Sequence, residues 1–340
     1  MSERPVDAIE QAVAAAGGFD VPALPPVRAS APLLLLCSPG RDSACLLDLA
    51  VRQVGAGGLR VLHVDHRLRP ESGEDAEAVR AMAAAAGVEA DVQEAGDRPA
   101  TGNLHAWARG ERLRLAAAEA VRLGAWGVAT AHTRTDLVET ALFRFATQPG
   151  RRALLSMRVR EPLDGAGGIS LVRPLLGISR QETMRWCLAH GLSWRDDRSN
   201  ADPQFARARL RHTVTPVLGA LNPRYEEAIV QTLHELADER AVLDALVLQA
   251  LPPGADSLVV DDLGAMPRPL ARLVFRELCE RAVEAPCARA PSRLDQILER
   301  AAADPSPFAI DVGEGARASV RGGILRCVAS AGPAAPVPDR

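Results

Sequence analysis

The run Leu33-Leu34-Leu35-Leu36-Cys37-Ser38-Pro39-Gly40-Arg41-Asp42-Ser43 decides the fold. Its first half has the length of a buried strand (Leu33–Cys37), and its second half is a Ser/Gly/Asp/Ser turn. A helical apolar pattern, Ser43–Val54, follows. Strand, tight loop and helix N-terminus together form a cradle for anions, because the first helical N–H groups are free and the helix dipole adds positive charge there. The chain contains no lysine: all 40 of its Lys+Arg residues are arginine. A Walker loop needs a Lys on the nucleotide phosphates and is excluded. A lysine Schiff base, a pyridoxal-phosphate anchor and a kinase-type lysine are excluded with it. Taken alone, the loop reads equally well as an ordinary turn capped by Asp and Ser.

Downstream, strand and helix patterns alternate. Strands are expected at Leu59–Val64, Val88–Gln93 and Gly127–Ala131, and helices at Gly73–Ala86, Asn103–Leu123 and Asp136–Ala146. Strands separated by helices predict an α/β fold with a doubly wound parallel sheet. Such sheets hold ligands beyond the carboxyl ends of their strands. The polar residues that follow strands are Ser38–Ser43, Asp65-His66 and His132. From Pro216 the pattern changes to a long amphipathic helix (Tyr225–Ala250), helices at Pro269–Ala285 and Ser292–Ala302, and a Gly-punctuated β-like tail at Phe308–Val328. The expected organisation is an N-terminal extension (1–29) with a helical patch at Val6–Ala16, the α/β domain (30–215), a smaller, mostly helical domain ending in β structure (216–330), and a tail (331–340).

A net charge of −3 argues against a wholly basic nucleic-acid binder but leaves room for a basic face. The six cysteines show no CxxC pair and no zinc spacing, as expected of reduced thiols in a cytosolic protein. No basic-then-apolar leader pattern opens the chain, and no apolar stretch is long enough to cross a membrane.

Four constellations could carry chemistry. Asp42 beside a phosphate loop suits a bridging cation, since Mg²⁺ on phosphates commonly takes one or two carboxylates. In Thr130–Thr140, His132, Asp136 and Glu139 share one face if the helix already runs by His132; a helix start with Thr135 as cap explains Asp136 as well. Arg109 and Arg112 lie three apart on one helix, as phosphate contacts could, although a solvated Arg/Glu face explains the spacing better. The turn Asp196–Asn200 precedes Arg207, Arg209 and Arg211, which read either as a grip on a polyanion or as a surface stripe.

These blocks, in this order, resemble the tRNA(Ile)-lysidine synthetases, N-type ATP pyrophosphatases with a PP-loop. The family's Ser-Gly-Gly-x-Asp-Ser loop is similar to Ser38-Pro39-Gly40-Arg41-Asp42-Ser43. Its Val-Asp-His-Gly-Leu-Arg-Pro-x-Ser block is similar to Val64–Ser72, its Ala-His…Asp-Asp-Gln-x-Glu-Thr block to Ala131–Thr140, and its Arg-Pro-Leu-Leu segment to Arg173–Leu176. Its Asp-x-Ser-Asn and Arg-Asn-x-Ile-Arg signatures are similar to Asp197–Asn200 and Arg207–Arg211. The resemblance covers roughly residues 30–225; beyond it the chain matches the family's tRNA-binding domain only in outline.

The resemblance implies that ATP and Mg²⁺ adenylate C2 of the wobble cytidine in a tRNA(Ile) with a CAU anticodon. Free L-lysine then attacks that carbon, giving lysidine. Catalytic roles are implied for Asp42, His132, Asp136, Glu139 and Arg112. ATP contacts are implied for Ser38, Pro39, Gly40, Arg41, Asp42, Ser43, Val64 and Asp65, with backbone N–H groups of residues 38–43 on the pyrophosphate. Mg²⁺ is implied on Asp42 and Asp136, and tRNA contacts on Arg109, Arg207 and Arg211. A cytoplasmic enzyme without membrane contact is implied, and family members are often dimeric. The chain departs from the pattern at Pro39 and Arg67 (each for Gly), Thr135 (for Asp), Leu137 (for Gln), His105 (for Glu), Leu113 (for Tyr) and Ala208 (for Asn). Pro39 removes one N–H donor and fixes φ; Thr135 removes one carboxylate. Two other readings remain at this point: a PP-loop 2-thiolation, for which Cys37 and Cys45 lack the paired spacing, and a divergent, non-catalytic tRNA- or nucleotide-binding protein.

Overall fold

The computed structural model describes residues 6–15, 31–68, 72–99, 101, 104–147, 151–155, 157–195 and 206–330. Arg69-Pro70-Glu71, Asn103, the side chain of His105, Asp196–Asn200, Phe205 and the tail 331–340 lie outside the described residues. The chain forms two compact units, Met1–His234 and Glu235–Arg340.

The first unit opens with α1 (Val6–Ala15). It then alternates through β1 (Leu33–Leu36), α2 (Arg41–Val54), β2 (Leu59–Asp65), α3 (Ser72–Ala85), β3 (Ala90–Glu94), α4 (Leu104–Leu123), β4 (Gly127–Thr130) and α5 (Arg134–Thr147). After these come α6 (Arg151–Leu154), β5 (Arg160–Pro162), β6 (Ser170–Val172), α7 (Arg180–Ala189), α8 (Ala206–Arg209), a π-helical turn (Leu210–Val214), α9 (Thr215–Leu221) and α10 (Tyr225–Ala250), of which the residues up to His234 belong to this unit. The strands order as β3-β2-β1-β4-β6-β5. All neighbours are parallel except β5, which runs antiparallel to β6 at the edge. From β1 the chain winds outward to β2 and β3, then returns to β4 on the other side of β1. That reversal makes the gap between β1 and β4 the topological switch point, where open α/β sheets bind ligands.

The leucine run of β1 is the hinge of this architecture. All four side chains are buried, between 0% and 7% exposed. Alternation sends Leu33 and Leu35 into one layer with Ile9 of α1, Leu46 of α2, Val79 of α3 and Trp186 of α7. Leu34 and Leu36 enter the other layer with Ala116 and Ala120 of α4. A strand covered on both faces reads as an unbroken apolar run, and each leucine contributes about 1.5–3 kcal/mol of burial. Ile9 and Val13 of α1 are fully buried in the first of these layers, so this part of the 1–29 extension belongs to the core. The pattern change near Pro216 does not coincide with the division of units: α9 and the first turns of α10 belong to the first unit.

The second unit carries β7 (Ser257–Val259), α11 (Val260–Ala265), α12 (Arg268–Val283), α13 (Ala290–Ala303), β8 (Phe308–Gly313), β9 (Ala316–Arg321) and β10 (Ile324–Ala329). The β-like tail read from the sequence is thus a meander, β8-β9-β10. With β7 it closes an antiparallel sheet ordered β7-β10-β9-β8. Phe275, Leu278, Leu294 and Leu325 fill the core between this sheet and α12 and α13.

Candidate active site

Three segments meet at the carboxyl ends of adjacent strands: the loop after β1, Asp65 at the end of β2, and His132-Thr133 after β4. The β1 loop is closed from within. Ser38 N donates to Ser43 Oγ at 3.0 Å, and the two hydroxyls lie 3.1 Å apart. Ser43 N donates to Gly40 O at 3.1 Å, and Arg195 N donates to Pro39 O at 2.9 Å. Of the N–H groups at 38–43, then, Ser38 and Ser43 serve the loop itself and Pro39 has none. This narrows the implied pyrophosphate cradle to Gly40, Arg41 and Asp42. The Gly40 N–H makes only a long contact, 3.4 Å, to Ser38 Oγ; Arg41 and Asp42 sit in the first turn of α2, where N–H groups have no intrahelical acceptor.

The second strand end is a turn built on a carboxylate. Asp65 accepts from Arg67 N at 2.8 Å and from Ser72 Oγ at 3.3 Å. Arg67 adopts φ +50°, which explains the glycine in the family pattern. The Val64 side chain is buried, so only its backbone could meet a ligand.

At β4 the structure corrects the helix register. The helix begins at Arg134, so His132 stands on the preceding loop and does not share a helical face with Asp136 and Glu139. Its Nδ1 lies 2.8 Å from Thr130 Oγ1. The cap is Thr133 rather than Thr135. Thr133 Oγ1 accepts from Asp136 N at 3.3 Å, and Asp136 Oδ2 accepts from Thr133 N at 2.9 Å and from its hydroxyl at 2.8 Å. Thr135 instead donates to Glu226 at 2.8 Å and accepts from Arg180 N at 3.1 Å. A carboxylate could not donate to Glu226, so the Thr at 135 is matched to the acid opposite it.

Asp42 and Asp136, distant in sequence, converge on one cation. Arg180 Nε reaches Asp42 Oδ2 at 3.2 Å and Nη2 reaches Asp136 Oδ1 at 3.3 Å. Thr183 Oγ1 donates to Asp42 Oδ1 at 2.5 Å. Burial raises the Asp136 carboxyl, but Arg180, His132 and Thr133 more than offset it and hold it below the usual range. Burial drives His132 well below its ordinary value. Asp136 opposes this, while Arg112, Arg173 and Arg109 add to it, leaving a neutral imidazole at pH 7.

Beside His132 stands an arginine cluster. Arg109 and Arg112 come from α4, Arg144 from α5, and Arg207 donates to Thr140 Oγ1 at 3.2 Å. Among the described residues, Arg112 Nε is buried with no hydrogen-bond partner. Burial, then the charges of Arg109 and Arg207, lower Arg112; burial and Arg173 lower Arg109. Glu139 and Arg211, by contrast, engage one another: Arg211 Nε and Nη2 meet the two Glu139 oxygens at 2.7 Å each, and Glu139 is 1% exposed.

Sequence reasoning missed Arg180 and Thr183, although Ser179 and Glu182 form a capping box that announces the start of α7 just after Arg173–Leu176. It also missed the buried Arg134, which pairs with Glu182, Glu226 and Glu227 at 3.1 Å each and ties α5, α7 and the start of α10 together. All six cysteines are buried free thiols, and burial pushes Cys37 and Cys187 up to about 12. Thiolate chemistry is disfavoured at such values.

Comparison with known proteins fits this geometry. A PP-loop domain model matches residues 12–218. A tRNA(Ile)-lysidine synthase from Gloeobacter violaceus is 38% identical over 229 residues, covering 66% of this chain and 69% of the relative. One from Salinispora arenicola is 38% identical over 255 residues, covering 73% and 72%. The chain belongs to the tRNA(Ile)-lysidine synthase family. Among solved structures, a U34-tRNA thiolase from Methanococcus maripaludis shares the fold with TM-score 0.55 at 14% identity, over 68% of this chain and 80% of that one.

Proposed function

We infer that the protein is a tRNA(Ile)-lysidine synthase, a ligase forming a carbon–nitrogen bond at the wobble cytidine of a tRNA(Ile) with a CAU anticodon. The observation that carries this is the meeting of a lysine-free phosphate loop with two carboxylates at the β1/β4 switch point, in a chain of that family. In the first step the cytidine O2 attacks the α-phosphorus of ATP, the α–β phosphoanhydride breaks, and pyrophosphate leaves. In the second, the ε-amine of free L-lysine forms a bond to C2, the C2–O bond breaks, and AMP leaves.

The residues divide this work. Gly40, Arg41 and Asp42 N–H groups, with the α2 dipole, receive the leaving pyrophosphate. Arg112 and neutral His132 face the charge that develops at the adenylate, the arginine as cation and the imidazole as a hydrogen-bonding group. Asp42 and Asp136 suit Mg²⁺, because each turns one oxygen toward the same cationic side chain, Arg180, and Mg²⁺ requires few protein carboxylates when phosphates and water complete its shell. Bound there, Mg²⁺ would neutralise charge on the phosphates. Arg109 and Arg207 hold the tRNA backbone, and Val64 offers its backbone to the nucleotide. Glu139 and Arg211 act by holding α5 against the π-helical turn. The same proposal places the enzyme in the cytoplasm and, as a family trait, in a homodimer.

The test is direct. Full-length protein is incubated with ATP, Mg²⁺, labelled L-lysine and tRNA(Ile) bearing a CAU anticodon. We expect label in the tRNA and one pyrophosphate released per lysine incorporated. Absence of both would overturn the reading, and pyrophosphate release without lysine incorporation would assign a different nucleophile.

A further inference from the structure

Each of the two carboxylates has one oxygen fixed by a hydroxyl and the other turned to the same guanidinium. Asp42 Oδ1 is held by Thr183 Oγ1 at 2.5 Å and Asp136 Oδ2 by Thr133 Oγ1 at 2.8 Å. The remaining oxygens, Asp42 Oδ2 and Asp136 Oδ1, meet Arg180 at 3.2 and 3.3 Å. Arg180 itself is delivered from the first turn of α7, whose start is fixed by the Ser179–Glu182 capping box and by the bond from Arg180 N to Thr135 Oγ1. The Arg180 side chain is only 26% exposed.

From this we propose that Arg180 is a positioning residue that shares Asp42 and Asp136 with the divalent cation and makes metal binding conditional on nucleotide. A metal ion held by these carboxylates would take up the same two oxygens that the guanidinium engages. The two cations therefore compete for one pair of carboxylates. Triphosphate in the adjoining loop offers Arg180 an alternative anion, so nucleotide relieves the competition and the two ligands bind cooperatively. The proposal rests on the functional reading above, which supplies the metal and the nucleotide.

The experiment measures Mn²⁺ binding to the full chain from the paramagnetic signal of free Mn²⁺. Measurements are made with and without the α,β-methylene analogue of ATP, for wild type, Arg180→Gln and Arg180→Lys. In wild type we expect the analogue to tighten Mn²⁺ binding by about tenfold or more, within the usual range of coupling between sites. Arg180→Gln should bind Mn²⁺ without the analogue about tenfold more tightly than wild type and lose most of the coupling. Arg180→Lys, a point charge that cannot bridge two carboxylates, should fall between them. Thermal unfolding tracks each variant; if the Gln variant does not fold, the Lys variant decides. Mn²⁺ affinity unchanged or weakened on removing the guanidinium overturns the proposal, even if lysine incorporation is intact. Absence of Mn²⁺ binding in every protein, analogue present, overturns the metal assignment and this proposal together.

Discussion

His132 stands on the loop between β4 and α5, and its surroundings set its charge. Burial and the nearby arginines keep it neutral far below the value near 6.5 of a free histidine. His66 is lowered too, by burial and then by Arg112 and His63. The sign of the pH effect follows. The unfolded chain takes up a proton on these side chains below about pH 6.5, while the folded chain does so only at lower pH. Stability is therefore complete above about pH 6.5 and is lost as pH falls toward the folded values. We expect the melting temperature to fall between pH 7 and pH 5, and His132→Gln to flatten that fall. Identical slopes in thermal melts of the two proteins would show that His132 titrates normally. At the same scale, Pro39 and Arg67 show how departures from a family pattern can differ in kind. Pro39 removes a donor from the cradle while its carbonyl is held by Arg195 N. Arg67 keeps the left-handed turn that its glycine counterpart would adopt more easily.

Among the elements, α5 is fixed by buried charge pairs. Arg134 at its start is buried among Glu182, Glu226 and Glu227, and Glu139 one turn on is paired with Arg211. Removing one member of a buried pair leaves an uncompensated charge, at a cost of about 3–5 kcal/mol. Arg211 is partly exposed, so Arg211→Ala should lie at the low end of that range, read as a shift in the urea midpoint. Adding Glu139→Gln should recover part of the loss. If Arg211→Ala weakened tRNA binding and left stability untouched, Arg211 would be a tRNA contact and not a brace. The strands and helices from β1 to α5 were legible because periods of 2 and 3.6 alternate over long stretches. The segment between them and α7 was not. β5 and β6 have three residues each and flank a Gly-rich turn, Gly165 to Gly168, too short for a period to show. The carboxylates of the site were legible as motif residues. Their partner Arg180 was not, because pairings across 138 residues to Asp42 and 44 to Asp136 are a property of the topology and leave no local spacing to read.

Over the whole molecule, a formal charge of −3 coexists with a cluster of arginines that repel one another. Binding of tRNA should therefore depend on this local field and weaken steeply with salt, since each neutralised phosphate contributes about 0.7–0.9 to the slope of log affinity against log salt. Arg109→Ala should weaken binding and flatten that slope by about one, measured by filter binding over a KCl series; an unchanged slope would remove Arg109 from the tRNA contacts. The leucine strand bears on the molecule at this scale as well. Slipping a strand by one residue exchanges its two faces, yet β1 presents the same side chain to both layers, so its interior is a message with no punctuation. The punctuation sits at its end. Cys37 N bonds Leu62 O at 3.0 Å, Cys37 O lies 2.9 Å from His63 Nδ1, and the Pro39 carbonyl is fixed by Arg195. The loop after β1 thus also serves as the ruler by which the central strand finds its place.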